Sequence, residues 1–305
     1  MKPAISVLIP CYNESLTIAK VVADFRRELP MAEIVVYDNN STDGSAELAA
    51  RAGAIVRHVV QQGKGHVVRR MFQDAASEVC VMVDGDDTYP AKAVYDLIAP
   101  VVDGRADMVT GDRLSTTYAA ENKRPFHGFG NWLVGFLIRL LWRRHVNDVM
   151  TGYRAFSLRF AKTCPVLAKG FEIETEMTLH VLDKRLSMVE VPVAYRDRPE
   201  GSVSKLNTLR DGCRVLLTVF DMFRFYRPFP FFGLVSVVSV LAGMALAAPV
   251  FVEYFRTGLV PRFPTLIFAC FLVMSGLIFG AVALILDAVK KHSDQSFEFA
   301  LAEVG

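Results

Sequence analysis

The triplet Asp84-Gly85-Asp86 carries the strongest chemical signal in the sequence. It follows Val79–Val83, a short apolar run that is typical of a buried strand. Gly85 lets the backbone approach a ligand closely, and the two carboxylates can converge on one hard cation such as Mg²⁺ or Mn²⁺. A metal there would bridge the two phosphates of a diphosphate and stabilise its departure. An ordinary acidic turn is the alternative, because Asp and Gly are common turn residues.

Two further polar loops also follow apolar, β-rich runs. The first, Pro10–Glu14, offers the side chains of Tyr12 and Glu14. The second begins with Asp38, which could hydrogen-bond a base or a ribose, and Asn39 beside it offers both a donor and an acceptor. Ligands of open α/β sheets bind at the carboxyl ends of the strands, so three such loops predict a nucleotide site. A simple turn is the alternative for the second loop.

The loop Gln62–Gly65 places one cation, Lys64, between two glycines. This lysine could bind a phosphate or orient an acidic partner, and a solvated lysine is the alternative interpretation. The loop lacks the spacing of a P-loop, so the sequence does not support ATP hydrolysis.

The elements that must position these loops alternate along the chain. Apolar β-rich runs predict strands over 5–9, 33–37, 54–58, 79–83 and 107–110. Helical patterns lie between them, over 15–29, 45–52, 64–77 and 91–102. Strand–helix alternation requires crossover connections and produces a mainly parallel sheet, so the predicted fold class is α/β.

The C-terminal part differs, because Pro228–Val252 and Phe263–Leu286 contain no charged residue. As helices these runs would extend roughly 36 Å, enough to cross a ~30 Å hydrocarbon core. Buried core helices are the alternative, but they are usually shorter and keep a polar face. Four arginines precede the first run (Arg210, Arg214, Arg224 and Arg227), two lysines follow the second (Lys290 and Lys291), and only Arg256 and Arg262 lie between the runs. This predicts a hairpin in the inner (cytoplasmic) membrane with both ends, and the first 227 residues, in the cytoplasm.

Two other segments suit a lipid surface. Leu206–Tyr226 has an apolar side and leads into the first span, so we expect an amphipathic helix at the membrane interface. Trp132–Arg144 is apolar with basic residues at its end, and it fits either that interface or packing on the sheet. The predicted organisation is therefore a catalytic domain over 1–205, a juxtamembrane helix over 206–227, a membrane hairpin over 228–289 and a cytoplasmic tail over 290–305.

Composition excludes several classes of function. The five cysteines show no paired spacing, so neither a disulfide framework nor a zinc site is expected, and a reducing compartment fits. A net charge of +2 gives no argument for nucleic-acid binding.

Several motifs occur in the order seen in glycosyltransferase family two. They are Pro10-x-Tyr-Asn-Glu14, the Asp38 loop with Ser41–Ser45, Gly63-Lys-Gly65, Asp84-Gly-Asp86 and Gly111-Asp-Arg113. Over roughly Ala4–Asn207 the chain resembles this family, and within it the dolichyl- and polyprenyl-phosphate sugar transferases. The resemblance implies a GT-A fold, a nucleoside diphosphate sugar as donor and an inverting displacement.

The resemblance also implies roles for single residues of the first three loops and of the strand that follows them. The nucleoside pocket would be lined by Pro10, Tyr12, Glu14 and Asp38. The diphosphate and the metal would be held by Asp84 and Asp86, and Arg113 would face phosphate. Many members have two aspartates and a glycine where this chain has Asp38-Asn39-Asn40, which leaves the base, UDP or GDP, open.

Further matches lie downstream. Arg198 and Lys205 match a stretch in which both cations contact phosphates, although this chain has one extra residue between them. Glu176 matches the family's glutamate in a helix, and Glu174 lies close to it. Sugar recognition or base chemistry is one interpretation of these glutamates, and a solvated helix face is the other.

A polyprenyl (undecaprenyl or dolichyl) phosphate would explain why such an enzyme sits on a membrane. A phosphate monoester is anionic at neutral pH, so charge stabilisation and positioning would supply most of the catalysis. The predicted reaction is transfer of one sugar, its identity undetermined. One alternative is a processive polysaccharide synthase, which usually needs more spans and a Q-x-x-R-W-type element. The other is a non-catalytic membrane scaffold. Gly- and Ala-bearing helix faces also allow a homo-oligomer.

Overall fold

The computed structural model describes residues 4–116, 127–170, 172–197, 220–221 and 223–304. The chain divides into two compact units, the first holding a β-sheet with its helices and the second holding two long C-terminal helices. The predicted phosphate-contacting residues Arg198 and Lys205 lie outside the described residues, and so does most of the predicted juxtamembrane helix over 206–227.

The first unit alternates strands and helices. The strands are β1 (Ile5–Cys11), β2 (Glu33–Asp38), β3 (Ile55–His58), β4 (Val79–Met82), β5 (Met108–Asp112), β6 (Arg154–Ser157) and β7 (Met188–Pro192). The helices are α1 (Ile18–Glu28), α2 (Ser45–Arg51), α3 (Lys64–Asp74), α4 (Val94–Val102), α5 (His127–Trp142), α6 (Leu158–Thr163) and α7 (Ile173–Asp183). A short 3₁₀ turn over Ala91–Ala93 precedes α4.

The seven strands form one sheet in the order β3-β2-β1-β4-β6-β5-β7. All run in the same direction except β6, which is antiparallel to both of its neighbours. The predicted α/β class with a mainly parallel sheet is confirmed. Because β6 is reversed, its first residue lies where β4 ends, and Arg154 pairs with Met82. Residues just before β6 therefore join the edge at which the parallel strands end.

The core has two layers because strand residues alternate between the faces of the sheet. On β1, Val7 and Ile9 belong to the layer formed with α1, α2 and α4. Leu8, between them, belongs to the layer formed with α3, α6 and α7. Helices thus cover both faces, as expected for a largely parallel sheet.

The strands β6 and β7 were not expected from the sequence. Each is short, and β6 begins with a buried arginine, so neither shows the apolar run that predicts a buried strand. The predicted strands and helices of the first half all exist, with ends that differ by a few residues.

The second unit contains α8 (Pro228–Thr257) and most of α9 (Phe263–Val304), both long and apolar enough to cross a membrane. They pack closely through small residues: the Ser236 hydroxyl donates to the carbonyl of Gly276 at 2.7 Å, and Gly243 lies against Ala269. Helix α8 continues through Pro249 to Thr257. The predicted tail from residue 290 is a helical extension of α9 as far as Val304.

Candidate active site

A buried lysine joins two carboxylates at the end of β4. The Lys64 ammonium lies 2.6 Å from Asp84 Oδ1 and 2.6 Å from Glu174 Oε1. The Lys64 and Glu174 side chains are only 10 % and 5 % exposed, whereas Asp84 is 26 % exposed. The structure thus brings together Asp84 from the loop after β4, Lys64 from the start of α3 and Glu174 from the first turn of α7.

Electrostatics keep this lysine charged. Burial alone would lower the pKa of the Lys64 ammonium, but the carboxylates of Asp84 and Glu174 outweigh burial and raise its pKa above the ordinary value. A buried cation between two anions is a stable arrangement only while all three partners remain. The group is therefore compact and well defined, and each of its three charges is stabilised by the others.

The glycines on either side of Lys64 allow its backbone to press against a second loop. A Cβ atom on Gly63 would lie 2.1 Å from the carbonyl oxygen of Lys169, and one on Gly65 would lie 2.1 Å from that of Ala168. Gly63 also has a φ of +133°, which side-chain-bearing residues rarely adopt. The two glycines thus bury Lys64 against residues 168–169 and aim it at the end of β4.

Asp86 is 4 % exposed and lies in a tight turn. Its Oδ1 accepts from the Thr88 hydroxyl at 2.7 Å and from the Thr88 backbone N–H at 3.3 Å. The buried Thr17 hydroxyl donates to the Gly85 carbonyl at 2.6 Å, which fixes the middle of the triplet to α1. The predicted pair Asp84 and Asp86 thus sits on a turn whose backbone and side chains are both constrained.

Gly152, which was not predicted, shapes the surroundings of Asp84. A Cβ atom on this glycine would lie 2.1 Å from Asp84 Oδ2, so a larger residue there would displace that carboxylate. Gly152 comes from the segment before β6, and its N–H donates to the Tyr89 hydroxyl at 3.1 Å. The only signal in the sequence was a glycine between Thr151 and Tyr153, which is too weak to indicate a site.

Arg113 follows β5 and makes a two-pronged ion pair with Asp148. Its Nε and Nη2 lie 2.7 Å and 2.9 Å from the two oxygens of that carboxylate, which is fully buried. The guanidinium also lies over the Tyr195 ring, 5.7 Å from its centroid. The structure thus places Arg113 at the same edge of the sheet as predicted, and its role toward phosphate stays a prediction.

Arg154 supports the loop before β6 from inside. It is fully buried, and it donates to the carbonyls of Val149 and Thr151 at 2.6 Å and 3.0 Å and to the Thr178 hydroxyl of α7 at 3.0 Å. Burial lowers the pKa of this guanidinium to about 10, so it is still charged at neutral pH. Its hydrogen bonds fix the loop that carries both Asp148 and Gly152.

The loops after β1 and β2 are fastened to each other. The Asn13 N–H donates to the Ser41 hydroxyl, the Glu14 N–H donates to the Ser45 hydroxyl, and Asn13 Oδ1 accepts from the Thr42 N–H, at 2.8–2.9 Å. Of the predicted nucleoside residues, Pro10 lies near the end of β1, and Tyr12 lies in the loop that follows it and is 37 % exposed. This pair of loops forms one connected polar surface.

Asp38 and Asn39 are both almost completely buried. The Asp38 carboxylate accepts from the Ser41 N–H and lies 3.2 Å from His58 Nδ1. The Asn39 amide donates to the carbonyls of Val59 and Gln61 at 2.8 Å, and Asn39 Oδ1 accepts from the Gly63 N–H at 2.8 Å. Asn39 therefore braces the loop that leads to Lys64, and direct contact with a nucleotide stays a prediction for both residues.

The structure does not bring Glu176 to the buried lysine. Its carboxylate accepts from the backbone N–H groups of Leu167 and Ala168 at 2.8–3.2 Å. Glu174 and Glu176 are two positions apart on α7, about 200° around the helix, so they face different sides. Sequence matching favoured Glu176, but the glutamate next to Lys64 and Asp84 is Glu174.

The carboxylates of the triplet suit a metal that is bound jointly with a substrate. Among the described residues no three His, Cys, Asp or Glu side chains are grouped to hold a metal. Mg²⁺ typically takes one or two carboxylates and completes its shell with phosphate oxygens and water, and does not need a cage made by protein. Asp84 already accepts one cation, the Lys64 ammonium, so this oxygen is suited to positive charge.

Residues 6–163 match the model of the family described as glycosyl transferase family 2. The chain belongs to glycosyl transferase family 2. Among its relatives, glycosyltransferase AglJ of Haloferax volcanii is 34 % identical over 82 % of both chains. The dolichol-phosphate mannosyltransferase of Mycosarcoma maydis is 27 % identical over 81 % of this chain and 86 % of its own. This confirms the resemblance to the polyprenyl-phosphate transferases, and the protein is a glycosyltransferase.

Solved structures confirm the GT-A-type fold. Glucosyl-3-phosphoglycerate synthase from Mycobacterium tuberculosis superposes with a TM-score of 0.57, over 72 % of this chain and 80 % of its own, at 22 % identity. The same synthase has also been crystallised with Mn²⁺ and UDP-glucose.

Proposed function

We propose that this glycosyltransferase transfers one sugar from a nucleoside diphosphate sugar, UDP- or GDP-linked, to a polyprenyl phosphate, with Mg²⁺ or Mn²⁺ and inversion at the sugar carbon. The observation that carries the proposal is the presence, in one chain, of the Asp84–Lys64–Glu174 group and two helices of membrane-spanning length. Relatives named for dolichyl-phosphate transfer cover most of this chain and support the lipid acceptor.

In this proposal the residues of the triplet hold the metal on the diphosphate of the donor. Asp84 and Asp86 supply carboxylate oxygens, and the bound cation would neutralise the charge that collects on the departing nucleoside diphosphate. The protein of like fold crystallised with Mn²⁺ is consistent with a divalent cation. Arg113, held rigidly by Asp148, would supply further positive charge toward phosphate.

A lipid phosphate as acceptor would need no strong general base. A lipid phosphate is already ionised at neutral pH, so the protein needs to position it and to screen its charge from the donor diphosphate. Arg198 and Lys205, if they contact phosphates as the family resemblance implies, would contribute to this. Tyr12, Glu14 and Asp38 would then bind the nucleoside at the opposite end of the donor.

One helix of the first unit has a surface suited to lipid. On α5, Trp132, Phe136 and Leu140 follow each other at intervals of four and are at least half exposed, with the two rings stacked at 5.8 Å. Val134 and Ile138 of the same helix are buried. An amphipathic helix of this kind can lie in the headgroup layer, and we propose that the catalytic unit contacts the cytoplasmic face of the inner membrane through it.

The test is a transfer assay with the purified full-length protein and Mn²⁺ or Mg²⁺. Radiolabelled UDP-glucose, UDP-N-acetylglucosamine and GDP-mannose are offered in turn with undecaprenyl or dolichyl phosphate. We expect one donor to give an organic-soluble product in which the sugar has the anomeric configuration opposite to that of the donor. Mild acid hydrolysis of this product should release a monosaccharide. Label transferred to a water-soluble acceptor, with none to the lipid, would refute the lipid acceptor.

The same assay separates the alternatives. A processive polysaccharide synthase would release oligomers from the lipid fraction, and a scaffold would transfer no label with any donor. Omission of the lipid phosphate is the matched control, because it leaves donor, metal and detergent unchanged.

A further inference from the structure

We propose that Lys64 is an internal counter-ion that competes with the divalent cation for Asp84, and that Glu174 is the positioning residue that receives Lys64 when the metal binds. The inference rests on the proposed function only for its metal and its diphosphate donor. It requires neither a particular sugar nor the lipid acceptor.

The competition follows from the distance between the two groups. The Lys64 ammonium lies 2.6 Å from Asp84 Oδ1, in the place that a cation bound to that oxygen would take. Two cations on one carboxylate oxygen repel each other strongly where solvent is scarce, and the Lys64 side chain is only 10 % exposed. Metal binding through this oxygen therefore requires the ammonium to move away from it.

Glu174 provides the place to which the ammonium can move. Its Oε1 already accepts from Lys64 at 2.6 Å, and its Oε2 is buried without a hydrogen-bond partner among the described residues. A lysine has three N–H donors on a flexible stem, so a small rotation lets Lys64 bond both oxygens of Glu174. The hydrogen bond lost at Asp84 is then replaced at an oxygen that was previously unsatisfied.

The surroundings limit the movement to the lysine side chain. The backbone at Gly63 and Gly65 is fixed against residues 168–169, and the Gly65 N–H donates to the Lys169 carbonyl at 3.2 Å. One turn beyond Glu174 on α7, the Thr178 hydroxyl accepts from the buried Arg154 guanidinium at 3.0 Å. This second cation adds favourable charge near Glu174 whether or not Lys64 still contacts Asp84.

The experiment measures Mn²⁺ affinity of the full-length protein in detergent, without nucleotide, from the electron paramagnetic resonance signal of free Mn²⁺. Lys64→Met removes the competitor, so Mn²⁺ should bind about tenfold more tightly. Glu174→Asp keeps the charge but withdraws the carboxylate from Lys64, so the ammonium stays on Asp84 and affinity should fall about fivefold. Because that variant conserves net charge, a change cannot come from net charge alone.

Glu172→Asp is the matched control. Glu172 also precedes the body of α7, but its carboxylate accepts from the N–H groups of Lys169 and Gly170 and does not contact Lys64. Its Mn²⁺ affinity should stay within about twofold of the parent protein, since the competing pair is intact. Thermal melting of all three variants checks that they are folded.

The two test variants must shift Mn²⁺ affinity in opposite directions, which a general loss of structure cannot produce. Weaker or unchanged binding in Lys64→Met overturns the competition, and unchanged binding in Glu174→Asp overturns the role of Glu174. Unchanged Mn²⁺ affinity in Asp84→Asn would show that the metal does not bind this carboxylate, and it would overturn the inference. None of these titrations contains sugar or lipid, so a failure to glycosylate polyprenyl phosphate would be a separate result.

Discussion

The two halves of the sheet edge are held together by different interactions. In the backbone-bonded half, residues 10–14, 38–45 and 59–63, side chains such as Asn13 and Asn39 bond backbone groups of neighbouring loops. In the ion-paired half, which comprises Lys64, Asp84, Arg113, Asp148 and Glu174, charged side chains bond one another.

This difference indicates what each half can do when a ligand arrives. Hydrogen bonds to the backbone fix the shape of a loop and would have to break for the loop to move, so the backbone-bonded half is preorganised. An ion pair can exchange one partner for another of like charge, such as a metal or a phosphate. The first arrangement suits a nucleoside of constant shape, and the second suits the charges of a diphosphate.

The largest expected effect comes from the triplet. Asp86→Asn keeps the acceptor oxygen for Thr88 but removes the charge, so turnover should fall by about 10²–10³ while the fold persists. The rate of sugar transfer under saturating donor measures this. Asp87→Asn is the control, since Asp87 bonds Lys20 on the surface and should retain activity. Equal losses in both variants would contradict the metal assignment.

Loss of one ion pair should destabilise the ion-paired half. Arg113→Gln leaves the fully buried Asp148 carboxylate without its guanidinium, and we expect a loss of about 3 kcal/mol in the free energy of unfolding. Thermal melting of the detergent-solubilised protein measures it. In Arg105→Gln the lost partner, Asp103, is exposed, so the melting temperature should hardly change. A stable Arg113→Gln would show that Asp148 finds another donor.

In the backbone-bonded half, we expect the side-chain nitrogen of Asn39 to be important for the loop that leads to Lys64. Asn39→Asp replaces the amide that donates to the Val59 and Gln61 carbonyls with an oxygen that repels them, at a cost of about 1–3 kcal/mol. The loop to Lys64 should loosen, and the KM for donor should rise. Asn40→Asp changes the same group at an exposed position and should have a smaller effect. An unchanged KM in Asn39→Asp would argue against preorganisation of this loop.

The smallest expected effect is on the stability of the protein at acidic pH. Burial would raise the pKa of Asp43, but hydrogen bonds from Ser45 and Ser15 lower it to about 2. Its contribution to stability is therefore complete above the unfolded pKa and is lost as the pH falls from about 4 to about 2. Over this range the melting temperature of Asp43→Asn should depend slightly less on pH than that of the parent protein. The same pH dependence in both proteins would show that the hydrogen bonds do not stabilise the charged form.

The parts of the fold and of the site that can be predicted are those whose signal lies within one short stretch of the sequence. The loops after β1, β2 and β4 were located correctly because each follows an apolar run, and the polar residue at its end is adjacent in sequence. The resemblance to family two then supplied the GT-A fold, which is confirmed. The family motif favours Glu176 over Glu174, and the sequence contains no information on which side of α7 faces Lys64.

Other parts of the site depend on pairing between distant segments. Gly152 and Asp148 reach Asp84 and Arg113 only because β6 runs against its neighbours, and nothing within residues 148–157 signals that reversal. The bracing role of Asn39 depends likewise on the path of residues 59–63. Such contacts depend on the order and direction of the strands in the sheet, and the pattern of residues within one segment does not predict these.

The position of β6 also has a consequence for the order of folding during synthesis. Strands β2, β3 and β4 can pair as soon as they leave the ribosome, since each has a neighbour earlier in the chain. Strand β5 must wait, because its two neighbours, β6 and β7, are both made later. The nascent chain should therefore complete the backbone-bonded half first, and an arrested chain that ends before β6 should bind no diphosphate. Assembly of the Asp84–Lys64–Glu174 group is then a late event in biogenesis, because α7, which carries Glu174, follows β6 in the chain.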